Sequence, residues 1–134
     1  MLAIAVLVAS YSLGQRSSAP SAADDLQIVG TWRGNSNCME KEGPCRDEVN
    51  VYRISKIAGK PGWVSVNGSK IVESHEIVMG TYEWKYDAQK HILESPSGAF
   101  RFALDGNKLE GTLTKDKTIF RRIYLKKSEG QSIQ

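Results

Sequence analysis

Two cysteines, two histidines and a scatter of carboxylates are the residues from which this chain could build reactive chemistry. Cys38 and Cys45 enclose Met-Glu-Lys-Glu-Gly-Pro. A metal would need histidines or further cysteines at ligand spacing, and His75 and His91 stand far from the pair and show no such spacing. The cysteines therefore read as a disulfide closing a short loop in an oxidising compartment. Such a closure contributes about 2–3 kcal/mol in the chain-entropy view. Asp47-Glu48 and Glu40/Glu42 are close in sequence, but strand neighbours point to opposite faces. They read as a solvated rim and not as a glycosidase pair. No serine sits in a nucleophile elbow, and neither histidine has a serine or cysteine nearby to complete a triad. No catalytic residue, metal site or cofactor is expected.

The elements that must carry any site are strands. No segment of 12 residues keeps a helical period, whereas β-branched and aromatic residues alternate with polar ones between turn signals. Strands are expected over Gln27 to Asn37 and Asp47 to Ile57, with Gly43-Pro44 at the tip of the loop between them. Gly59-Lys60-Pro61-Gly62 is a turn by composition. Trp63 to Glu73 has two readings: a tight hairpin at Asn67-Gly68, or one strand kinked at Gly68, which is preferred. Further strands follow at Met79 to Tyr86, His91 to Ser95, Ala99 to Leu104, Lys108 to Thr114 and Lys117 to Lys126. About eight strands joined by short turns is the number that closes a small up-and-down antiparallel barrel and removes exposed edges. The expected fold class is all-β, a single barrel.

The chain begins with an apolar run, Leu2 to Ala9, followed by small and polar residues to Ala23. The run is too short to cross a bilayer, which takes roughly 20 residues, and suits the core of a secretory signal peptide. No Lys or Arg precedes it. Ser21-x-Ala23 offers the small residues a signal peptidase reads, so residues 1–23 are expected to be a signal peptide, 24–127 the barrel, and 128–134 a loose tail. The protein is then exported, to a periplasm or the extracellular medium, with no membrane span left in the processed chain. Removing 23 of 134 residues leaves 111, enough for one modest core. The net charge, +3 over the whole chain, is too weak by itself to imply a nucleic-acid or membrane-surface partner. Lys115, Lys117, Arg121, Arg122, Lys126 and Lys127 gather near the end of the chain and read as a solvated outer face.

Ile28-Val29-Gly30-Thr31-Trp32 opens the first strand, and Arg121-Arg122-Ile123-Tyr124 lies in the last. A Gly-x-Trp at the start with a late arginine resembles the signature of the calycin superfamily, which holds lipocalins, avidins and intracellular fatty-acid-binding proteins. That resemblance implies that Gly30 bends the strand, Trp32 plugs the closed end, and a guanidinium from Arg121 or Arg122 caps the indole. The ends look especially like the fatty-acid-binding branch, where an Arg-x-Tyr holds a lipid carboxylate; Arg122 and Tyr124 match it. That branch inserts a helix pair after its first strand, and this chain has only the Cys38–Cys45 loop there. The chain also resembles uncharacterised bacterial secreted lipocalin-like proteins with a Gly-Thr-Trp start and a Cys-Arg-Asp-Glu step. An exported lipocalin-like barrel is the better match.

Alternation places Tyr82, Trp84 and Tyr86 on one face, and Phe100, Phe102 and Leu104 on another. Both faces of the last strand are partly apolar; the aromatic one, Phe120-Arg122-Tyr124, is expected inward. Tyr82, Trp84, Tyr86, Phe100 and Phe102 would wall a cavity, and Arg122 with Tyr124 would orient an anionic end. A buried arginine is costly unless paired, so capping Trp32 is its first expected role. The interior has two readings, a ligand cavity or a core filled by its own side chains. The first makes the protein a non-catalytic binder of a small hydrophobic or amphipathic molecule. The second makes it a structural or protein-interaction module of the cell envelope.

Overall fold

The computed structural model describes residues 27–40 and 42–128; the expected signal peptide (1–23) and residues 129–134 of the expected tail lie outside the described residues. The eight strands are β1 (Gly30–Cys38), β2 (Glu48–Lys56), β3 (Trp63–Val72), β4 (His75–Asp87), β5 (Ile92–Glu94), β6 (Phe100–Asp105), β7 (Lys108–Lys115) and β8 (Thr118–Lys127). Each pairs antiparallel with the next, and β8 returns to β1, closing the barrel. This is the up-and-down barrel expected from the turn spacing. The largest difference in boundary is at β4, which starts at His75, four residues before the alternating stretch. β3 is one strand from Trp63 to Val72, the preferred of its two readings, and its register shifts between Gly68 and Ser69, where the kink is expected.

One end of the barrel is plugged. Ile28 and Trp32 are fully buried, and the Trp32 indole Nε1 donates to the Ile28 carbonyl at 2.9 Å. Gly30 makes the bend into this plug with a φ of 142°, a conformation that side chains with a Cβ rarely adopt. Ile54, Val64, Leu93, Leu104, Leu109 and Leu125 fill the space around the indole. Burying one such aliphatic side chain contributes about 1.5–3 kcal/mol, so this end carries much of the fold's stability.

The expected arginine cap over Trp32 is not there. The antiparallel register pairs Trp32 with Lys127 and places Arg121 opposite Cys38, towards the other end of the strand. The cation over the indole is the Lys127 ammonium, 5.5 Å from the ring centroid, and its Nζ also donates to the Gln27 carbonyl at 3.0 Å.

The expected orientation of the last strand is reversed as well. Ile123 and Leu125 are buried, whereas Arg122 is exposed and Tyr124 is 44% exposed. Phe120 falls where the β7–β8 register shifts, between Leu113 and Thr114. The aliphatic face meets Trp32 and Leu109, and the aromatic face turns to solvent.

At the open end the loop after β1 is closed by the Cys38–Cys45 disulfide, as the spacing of the cysteines predicts. Asp47 Oδ1 accepts from the Cys38 amide at 2.7 Å, which fixes the base of the loop.

Candidate binding cleft

β4 and β5 share only three residue pairs, from Lys85–Glu94 to Asp87–Ile92. Beyond Lys85, towards the open end, β4 keeps its pairing with β3 and parts from β5, and the loop from Ser95 to Ala99 stands off from it. The result is a cleft of about 380 Å³ with mainly apolar walls. Tyr82, Trp84 and Met79 form one side, Phe100 with Pro96 and Ala99 the other, and Tyr52 and Val66 lie beneath.

The sequence makes this space in two places. Gly68 and Gly80 face each other across β3 and β4, and a Cβ at Gly68 would find nothing nearer than the Tyr52 ring at 3.7 Å. Met79 is the extra residue on β4 where Gly68 pairs with Gly80 and Ser69 pairs with Val78. Such a bulge bends a strand and re-aims a side chain, here bringing Met79 into the wall.

The rings form a continuous set. Trp84 stacks on Phe100 with centroids 5.0 Å apart, and Tyr82 stacks on Trp84 at 6.1 Å. Tyr52 meets the edges of Trp84 and Phe102 at 6.0 and 5.7 Å. Trp84 and Phe102 are buried, while Tyr82 remains 45% exposed at the lip. Burial pushes the Tyr52 phenol well above its ordinary pKa, and the neighbouring Glu48 carboxylate adds to the effect, so this hydroxyl stays protonated.

Beside the rings is a polar cluster. Arg121 Nη1 donates to the Ser36 carbonyl at 3.2 Å and to Ser36 Oγ at 3.1 Å, and its Nη2 donates to the Arg46 carbonyl at 3.0 Å. Asn50 Nδ2 donates to Glu48 Oε1 at 3.1 Å, and Glu48 stands 4.0 Å from Arg121. The guanidinium is thus spent on holding the disulfide loop against β1, and its charge has a nearby carboxylate.

The expected wall residues therefore divide. Tyr82, Trp84 and Phe100 line the cleft; Phe102 backs Trp84 within the core. Tyr86 is buried nearer the plugged end, where it borders a hollow of about 500 Å³ under the β2–β3 turn. That hollow is larger, but its walls are the turn itself, from Lys56 to Val64, and not rings held by the sheet. Arg122 and Tyr124 are on the outer surface and do not meet the cleft. Tyr52, Gly68 and Met79 were missed from sequence, although Tyr52 is the cross-strand partner of Trp32. Among the described residues, no three His, Cys, Asp or Glu side chains come together in a way that could hold a metal ion, and no helix is long and apolar enough to cross a membrane.

An eight-stranded closed antiparallel meander plugged by a Gly-x-Trp strand is the calycin fold, in its lipocalin-like form. Among solved structures it is similar to a siderocalin, Ex-FABP, described as functioning through dual ligand specificities. The two share 14% identity over 79% of this chain and 73% of that one, with a TM-score of 0.50. At that identity the likeness is one of fold. No protein-family model matches the chain, and no curated protein matches it.

Proposed function

We propose that this is an exported, non-catalytic binding protein that takes a small hydrophobic or amphipathic molecule into the cleft between β4 and the β5–β6 loop. The observation that carries the reading is the unfilled space of about 380 Å³ against Tyr82, Trp84 and Phe100. Gly68, the glycine of β3 in the cleft wall, keeps this space clear, since a Cβ there has no neighbour nearer than the Tyr52 ring at 3.7 Å. A cleft with an apolar wall, a few polar groups at its margin and one half-exposed ring is the usual form of a small-ligand site. The disulfide supports export, as does the apolar run before the barrel. The absence of a convergent acid–base pair among the described side chains favours binding over catalysis.

Tryptophan fluorescence tests it directly. Oleate and anilinonaphthalene sulfonate, titrated separately, are expected to change the tryptophan emission with saturation, through Trp84 in the cleft wall. Gly68→Leu, whose Cβ has no neighbour nearer than the Tyr52 ring at 3.7 Å, is expected to weaken binding at least tenfold while leaving the melting temperature near that of the parent. Silent titrations with both probes would overturn the reading.

A filled barrel acting as an interaction module is the second reading. Its support is a group of exposed apolar side chains around the β3–β4 hairpin, Val72, Ile77, Val78 and Met79, each at least 40% exposed.

A further inference from the structure

The outer surface of β1, β8 and β7 carries a row of like charges that net charge conceals. Arg33 pairs with Lys126, and Lys126 pairs with Lys108, so three cations stand side by side across three strands. Directly paired residues are about 5 Å apart between Cα atoms, and like charges at such positions oppose the sheet. Arg122 follows on the same face of β8, and all four side chains are exposed. No ion pair among the described residues involves any of them; the ion pairs are Arg53–Glu76, Lys60–Glu83, Arg101–Glu94 and Arg121–Glu48. Two acids border the row. Asp105 is the β6 partner of Lys108, and Glu110 faces Tyr124 one row away. Glu76, whose field reaches Arg33, is already clasped by Arg53. Tyr124 lies between Arg122 and Lys126, 44% exposed.

We infer that this face docks reversibly on an anionic phospholipid surface. A row of cations that burdens its own sheet is relieved when anions face it, and charge complementarity of this kind strengthens steeply as several phosphates are met at once. An array of headgroups offers a phosphate to each cation of the row. Tyr124 supplies a ring with an apolar body and a polar tip, the pattern suited to the membrane–water boundary. The cleft, bounded by β4 and the β5–β6 loop, stays clear of the docked face.

Vesicle sedimentation of the full chain separates the possibilities. Pure phosphatidylcholine vesicles measure the background owed to the apolar residues 2–9, and vesicles with one quarter phosphatidylglycerol measure the charge-dependent increment. The increment is expected to vanish between low salt and about 0.5 M salt, where the screening length falls to a few ångströms. Lys126→Glu is expected to cut it by roughly tenfold or more and at the same time to raise the melting temperature, because the introduced carboxylate stands between two cations. Lys90→Glu makes the same change of net charge in the β4–β5 turn and is expected to bind as the parent does. Equal loss in both variants, no loss in Lys126→Glu, or binding no stronger to phosphatidylglycerol than to phosphatidylcholine would overturn the inference. So would polyglutamate that binds as tightly as the vesicles, since it would point to an acidic protein.

Discussion

Two seams of this barrel behave oppositely. Where β8 meets β1, seven residue pairs run from Trp32–Lys127 to Cys38–Arg121, and the backbones approach so closely that a Cβ at Gly34 would lie 1.8 Å from the Tyr124 carbonyl oxygen. Where β4 meets β5, three pairs suffice and the strands then part around a cleft. Both seams belong to one sheet, so the difference comes from side chains and not from topology. At the first, glycine permits contact that other residues would block. Beside the second, Gly68 on the neighbouring β3 leaves room that no side chain fills. Tight closure on one side is what allows the opposite wall to stand open, since a small sheet loses cohesion if both seams part.

The sharpest way to break this contrast is to add the same methyl group on each side. Gly34→Ala is expected to cost about 3 kcal/mol, because neither the backbone oxygen nor Leu125 can give way cheaply. Gly68→Ala is expected to be neutral or stabilising by up to about 1 kcal/mol, since alanine orders the unfolded strand at no steric cost. Equilibrium unfolding in urea measures both, and similar losses at the two glycines would refute the distinction. A smaller effect concerns the loop that Arg121 ties to β1. The double substitution Cys38→Ser, Cys45→Ser is expected to cost about 2–3 kcal/mol in the same measurement, with Trp84 emission unchanged because the loop lies away from the cleft wall.

The smallest expected effect is on the outer surface of β2 and β4. Both terminal guanidinium nitrogens of Arg53 donate to the Glu76 carboxylate, which holds its pKa at about 2 instead of the ordinary 4.5. A carboxylate depressed in the folded state stabilises above its unfolded pKa and loses that contribution as pH falls. Melting temperature should therefore decline slightly from about pH 5 towards pH 2, and Glu76→Gln should flatten that part of the profile. An unchanged acid limb in the variant would show that the pair contributes nothing.

Much of this architecture is legible in the sequence. Alternation and turn residues give the strand number, Gly30-x-Trp32 gives the plugged end, and Cys38 with Cys45 gives the stapled loop. What escapes depends on register. In β8 both faces are apolar enough to face a core, and a register shift near Phe120 decides between them. The start of β4 is hidden because His-Glu-Ile-Val does not alternate, and the turn before it uses Glu73 and Ser74 at positive φ in place of glycine or asparagine. Tyr52 is hidden because its strand has Val49 and Val51 on the other face. The lysine over Trp32 and the ladder of Arg33, Lys126 and Lys108 share that origin: each exists only once two distant strands are aligned. The candidate cleft is half legible, through Tyr82, Trp84 and Phe100. The space between them is not, because it depends on which glycines face inward.

Closure by the first and last strands also constrains the order of events at birth. Ser36 and Arg121 meet across 85 residues of chain, so β1 has no outer neighbour until nearly the whole barrel has emerged. A chain made from its beginning must keep that edge from pairing with other molecules for the duration, and contacts of such long sequence separation form slowly. The nascent protein is thus most vulnerable to aggregation just before its final strand arrives.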